Sequence, residues 1–390
     1  MYVLAIYLIL SIYILFIRNH LPKYRKKLDL IIASLLILFF MIRYNIGRDL
    51  VSYNVSYYVF RNNPNLVFDI IWHRNTLYYS FIYACVHWID DYRWVMLIIN
   101  IFSLLLCSFT IYKHSKDLIL SALLFIGSGV LEVYYASGIR QMIAMSIFFY
   151  AFYTFLPKKK YLFYELLVAV AFLFHETIFP AFLIPLFCFI IPLFRKHPLK
   201  FTICSAGIAL LVSLIISFVL PKILSIEGLH WGFHAIISYF SHFSPSIPGI
   251  GMETIILGGV LYLYCQKSEK NDLKDLQYLT ILYSVLIYYL FVGFPNTSRI
   301  SDALQIILII YLPELISCMQ STKRILLTTG VVLLFNLFLL YSDLHTNLPA
   351  AGESISRTIT IENDPYITVF NAKWIDESFR GCEWYPFHRY

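Results

Sequence analysis

The chain has 390 residues, of which 59% are hydrophobic and only 14% charged, and its mean hydropathy is +0.71. These values exclude an ordinary soluble domain and point to an all-α polytopic membrane protein. The net charge of +7 falls mostly in short connections between apolar runs, so it reports membrane orientation and not nucleic-acid binding.

The N-terminus lacks a basic leading region and a small-residue cleavage site, so Tyr2–Ile17 reads as a retained first helix. A basic loop with Arg18, Lys23, Arg25, Lys26 and Lys27 follows, and the positive-inside rule places it in the cytoplasm. Beyond the apolar run 30–42, further runs cover 94–112, 118–136, 142–156, 161–174, 177–194, 201–220, 250–266, 276–294, 303–320 and 325–342. Basic connections at 113–116, 158–160, 195–200, 267–274 and 323–324 fall on one side if Leu77–Ile89 does not cross fully. That run is short, contains His87 and ends in Asp90-Asp91, which fits a re-entrant or interfacial helix. About twelve crossings result, with both termini outside. The expected membrane unit is 1–342, with external segments at 43–92, 137–141, His175, 221–249 and 295–302, and with 343–390 as an external tail. No P-loop, GxGxxG motif or internal repeat is present, and no soluble part is large enough for a nucleotide site.

Candidate chemistry gathers on the predicted outer face. In 43–57, Gly47 permits a turn and Asp49 opens a helix on which Asp49, Tyr53 and Tyr57 recur every four residues, flanked by Arg43 and Arg48. An acid beside tyrosines and arginines suits a carbohydrate-and-phosphate surface, and equally an interfacial cap with an aromatic belt. Arg140 and Gln141 lie in the turn between two apolar runs, where a cation is costly enough to be a functional candidate. His175-Glu176 is a polar pair able to move a proton, or simply to satisfy a helix break before Pro180. Arg299, in the polar turn 295–302, is available for a ligand or for pairing with Asp302. Asp90-Asp91 resembles the acidic pair of some lipid-dependent glycosyltransferases, but reads here as a solvated turn. His230 and His234 read as part of an interfacial aromatic helix and not as metal ligands, and Phe179 stands where a zincin would carry its second histidine. The seven cysteines show no ligand spacing, so neither a metal nor a cofactor is expected. Arg43, Arg48, Arg140 and Arg299 on one face predict an anionic ligand at the outer boundary, for which a polyprenyl pyrophosphate is the best fit.

The segments RYNIGRDLVSY (43–53), SGIRQMIAMSIFFYAF (137–152), FHETIFPAFL (174–183) and SRISDALQIILIIYLP (298–313) resemble the EpsG-like branch of bacterial Wzy polysaccharide polymerases over about residues 1–340. Arg48, between Gly47 and Asp49, and Glu176, after His175, depart from the residues usual in that pattern. The resemblance implies a GT-C-like glycosyltransferase of the bacterial inner membrane with its active site facing the periplasm. It would join undecaprenyl-pyrophosphate-linked oligosaccharide repeats into O-antigen, capsule or exopolysaccharide, transferring the growing chain to a new lipid-linked unit. A chain-length regulator is a conceivable partner. On this reading Arg140 and Arg299 hold the donor pyrophosphate, with Arg43 or Arg48 assisting, and Asp49 or His175 activates the acceptor. Tyr53, Tyr57, Gln141 and Glu176 contact substrate. The rival readings are a lipid-linked oligosaccharide flippase, which needs polar groups through both leaflets, and a single-sugar polyprenyl-phosphate glycosyltransferase or an O-acyltransferase.

Overall fold

The computed structural model describes residues 2–20, 23–42, 50–66, 75–127, 138–224, 252–267, 271–291, 297–319, 323–332 and 334. Every regular element among them is helical. In hydrocarbon an unpaired backbone amide costs several kcal/mol, roughly, so an apolar chain satisfies its peptide groups within each helix. In chain order the α-helices are α1 (Tyr2–Ile12), α2 (Arg25–Met41), α3 (Leu50–Asn62), α4 (Thr76–Trp88), α5 (Tyr92–His114), α6 (Leu118–Gly127), α7 (Ile139–Phe155), α8 (Tyr161–Phe174), α9 (Phe187–Lys196), α10 (Pro198–Leu224), α11 (Met252–Lys267), α12 (Asp272–Phe291), α13 (Thr297–Gln305) and α14 (Leu308–Ser317). A 3-10 segment, Glu176–Leu186, links α8 to α9. Its Pro180 and Pro185 lack the amide an α-helix would use, which favours the tighter winding.

Among the described residues, the stretches Tyr92–His114, Ile139–Lys158, Glu176–Lys196 and Pro198–Phe218 are long and apolar enough to cross a membrane. A fifth candidate is the pair α13 and α14, bent by 46°. Shorter apolar helices occupy 5–17, 118–127, 161–174 and 254–266. The run read from sequence as 303–320 is therefore a broken pair that already begins at Thr297. The 118–136 run forms a helix only as far as Gly127 within the described part, residues 128–137 lying outside it. The predicted interfacial run near Leu77–Ile89 is α4, whose 13 residues rise about 20 Å, less than the ~30 Å hydrocarbon core.

The core is built around α7, which is apolar on nearly every face and packs against α5, α8, the 3-10 segment and α13, while its Tyr153 hydroxyl accepts from Gln277 of α12 at 2.9 Å. The basic connections meet in pairs at one end of the helices. Arg18 donates to Asp29 at 2.7 Å and to Asp117 at 2.8 Å, which joins the first loop to the α5–α6 loop. Arg195 binds Asp272 at 2.7 Å and also Asp275, joining the α9 end to the start of α12. Loops that the positive-inside rule assigned to one side thus touch. The opposite end of α7 carries Arg140, about 25 Å away by helix rise.

Candidate functional site

At that opposite end the amino termini of several helices converge. Arg140 is not in a turn, as the sequence suggested. It is the second residue of α7, and Gly138 precedes the helix. Arg299 likewise lies within the first turn of α13. Gln141, buried to 1% exposure, donates from Nε2 to the Arg299 carbonyl at 2.7 Å and fixes the two helix starts against each other. His175 ends α8 and caps the 3-10 segment, its Nδ1 accepting the Thr177 amide at 3.3 Å and lying 2.9 Å from the Thr177 hydroxyl.

Asn75 stands at the start of α4 with φ 49° and ψ 49°, a left-handed conformation that asparagine tolerates better than most side chains. With its amide oriented to satisfy both neighbours, Asn75 accepts from Arg140 Nη1 at 2.8 Å and donates to the Phe174 carbonyl at 3.0 Å. It therefore bridges the arginine to the residue before His175. The Arg140 guanidinium carbon lies 5.7 Å from the ring centroids of both Tyr53 and Tyr78, and Nε donates to the Tyr53 hydroxyl at 3.4 Å. Sequence reasoning missed Asn75 and Tyr78. A polar residue immediately before an apolar helical run is a cap signal, but nothing local announces its long-range contacts.

The electrostatics are unusual in sign. Helix amino termini carry partial positive charge and ordinarily attract acids, yet the first turns of α7 and α13 hold arginines and no acid. Ion pairs among the described residues use Arg18, Arg25, Arg61, Arg93, Arg195 and Lys274, and none uses Arg140 or Arg299. The pairing of Arg299 with Asp302 left open by the sequence is not among them. His175 registers both cations: burial, then Arg140, then Arg299 push its imidazole from about 6.5 down to about 3. The ring is neutral at ordinary pH, and with Nδ1 accepting from Thr177 its proton resides on Nε2. A neutral ring in that tautomer offers its Nε2–H as a hydrogen-bond donor.

The other sequence candidates fall in several places. Tyr57 is 1% exposed, donates its hydroxyl to the Ile89 carbonyl at 2.7 Å and packs on Tyr92 at 5.3 Å, so it is a core residue, reaching only the small hollow that it lines with Tyr53, Tyr78 and Arg140. The i, i+4 spacing with Tyr53 is correct, but α4 and α5 cover its end of the face. Tyr53 is half-buried and braces Arg140. Glu176 is exposed at the first position of the 3-10 segment. Asp90 pairs with Arg61 at the surface, whereas Asp91 is buried and pairs with Arg93 at 3.0 Å, so only the first of them is solvated. Arg43, Arg48, Asp49, His230 and His234 lie outside the described residues, and within those residues no group of His, Cys, Asp and Glu is arranged to hold a metal.

The EpsG family matches residues 26–354. The chain belongs to the EpsG family. EpsG proteins are membrane proteins of a Wzy-type polymerase and glycosyltransferase-like kind, which agrees with the all-helical architecture and its apolar spans. The match runs from α2 through α14 and ends 12 residues past the predicted boundary at 342 (354 − 342). No curated protein and no solved structure matches the chain.

Proposed function

We propose that this EpsG protein polymerises oligosaccharide repeats carried on a polyprenyl pyrophosphate, and that the diphosphate docks where α7 and α13 begin. One observation carries the reading. Two arginines occupy helix first turns, where a cation is disfavoured by about 0.3–1 kcal/mol, without a carboxylate partner among the described residues. A diphosphate against two guanidinium groups and two helix termini turns that cost into binding. Arg140 is held rigid by Asn75 and two rings, so little reorganisation is needed as negative charge grows on the departing diphosphate. His175 donates Nε2–H to a diphosphate oxygen, a role that its suppressed basicity favours.

The acceptor hydroxyl then attacks the anomeric carbon as the carbon–oxygen bond to the diphosphate breaks. Asp49, four residues before Tyr53 in sequence, is the proposed base, and Arg43 and Arg48 are proposed to contact the same anion. Gln141 acts by positioning Arg299, and exposed Glu176 is proposed to contact the sugar of the acceptor. The finer framework belongs to the same proposal: about twelve crossings in a GT-C-like bundle in the bacterial inner membrane, the centre facing the periplasm, and undecaprenyl as the lipid. Purified protein supplied with a lipid-linked repeat should yield a ladder of chain lengths. Transport of the intact lipid-linked unit with no new glycosidic bond would overturn the reading in favour of a flippase.

A further inference from the structure

A second feature lies at the other end of the bundle and has no part in that chemistry. A groove of about 260 Å³ runs between α2, α5 and α6, bounded by Leu30, Ala33 and Ile37 of α2, Leu104 and Phe109 of α5, and Ala122 of α6. Small side chains at Ala33, Ser34, Ser108 and Ala122 leave the hollow that larger residues would fill. Its lining is almost wholly apolar, which suits hydrocarbon and not ordered water. From Leu30 to Phe40 the groove follows α2 for about 15 Å, half of the ~30 Å bilayer core, which is the depth of one leaflet.

Its mouth is cationic. Lys26 precedes Leu30 by one helical turn and shares its face of α2, while Lys113, at the end of α5, places Nζ 5.5 Å from the ring centroid of the groove residue Phe109. The nearby carboxylates are already engaged: Asp29 with Arg18 at 2.7 Å, and Asp117 with Arg18 at 2.8 Å and Arg25 at 3.6 Å. Lys26 and Lys113 are exposed and take no part in the ion pairs among the described residues. His114, beside Lys113, packs on Tyr153, thirteen residues along α7 from Arg140, so the mouth is about 20 Å from the diphosphate centre.

We propose that this groove binds one anionic glycerophospholipid of the cytoplasmic leaflet, an acyl chain lying between α2, α5 and α6 and the phosphate resting against Lys26 and Lys113. Transfer of a chain from bilayer to groove gains little, since both are apolar. Selectivity therefore comes from the headgroup, as in other basic pockets between transmembrane helices. Each lysine is worth about a fivefold change in affinity, so the pair supplies roughly 25-fold.

The test is native mass spectrometry of the full chain titrated separately with phosphatidylglycerol, phosphatidylcholine and undecaprenyl phosphate. Phosphatidylglycerol is expected to bind most tightly, Lys26→Gln with Lys113→Gln to weaken it about 25-fold, and Ala122→Phe, which plugs the groove, to abolish the tight site. Ser108→Leu serves the same purpose should Ala122→Phe not fold. Equal binding of phosphatidylcholine, no effect of the lysine pair, or preference for undecaprenyl phosphate would each overturn the assignment. None of these measurements involves chain polymerisation, so the proposed activity stands or falls separately.

Discussion

Replacing Arg140 tests the diphosphate centre with a magnitude that follows from its contacts. The side chain gives one hydrogen bond to Asn75 at 2.8 Å, a longer one to the Tyr53 hydroxyl at 3.4 Å, and lies over two aromatic rings at 5.7 Å each. Each ring contact is worth about 0.5–2 kcal/mol, but a half-buried guanidinium also forfeits hydration, so Arg140→Ala should change stability by no more than about 2 kcal/mol. The catalytic loss is larger. Removing one preorganised group that stabilises developing negative charge typically costs about 10²–10³ in kcat, near 3–4 kcal/mol. Arg140→Lys keeps the charge but not the planar fork. It cannot serve Tyr53, Asn75 and a phosphate together, and should lose about tenfold. The assay is extension of a lipid-linked repeat by purified variants, with polysaccharide chain length on gels as the cellular readout and a thermal unfolding curve to certify folding. A folded Arg140→Ala protein that extends chains within about threefold of the parent would refute the assignment, since that loss is under 1 kcal/mol.

Three further outcomes follow from the same contacts. Asn75→Asp sets a carboxylate against Arg140, worth about 4 kcal/mol in a semi-polar setting, and should raise KM for the lipid diphosphate about tenfold or more, while Asn75→Gly, which keeps the left-handed backbone, should do less. His175, pushed down to about 3, stays neutral at every pH above that value, so kcat/KM should show no break near 6.5 that disappears in His175→Gln, and His175→Gln should retain more activity than His175→Ala. Gln141→Leu loses the bond to the Arg299 carbonyl, for about 1 kcal/mol of stability by chemical denaturation and a fall in activity that Arg299→Lys does not deepen additively.

The helical class was legible because apolar runs, aromatic content and short basic connections are properties of composition and order. The meeting of Arg18 with Asp117 and of Arg195 with Asp272 follows the same logic, since loops sorted to one side by charge become neighbours. The placement of Arg140 and Arg299 was legible only to within a turn. Both were read as loop residues because apolar periodicity begins after them, whereas α7 starts three residues before the run read from 142 and α13 six before the run read from 303. The bend between α13 and α14 was not legible: no proline or glycine stands between Gln305 and Leu308. Tyr57 shows a different gap. Spacing shows which residues share a helix face, but the cover on that face comes from Ile89 and Tyr92, more than thirty residues away. Asn75 combines both difficulties, its partners Arg140 and Phe174 being distant in sequence and its backbone left-handed.

The most direct measurement is the structure of the protein in nanodiscs with an undecaprenyl diphosphate bound. The predicted result is a diphosphate within hydrogen-bond reach of both guanidinium groups at the starts of α7 and α13, with His175 Nε2 facing one of its oxygens. A diphosphate seated elsewhere, with Arg140 and Arg299 left in contact only with protein, would contradict the account.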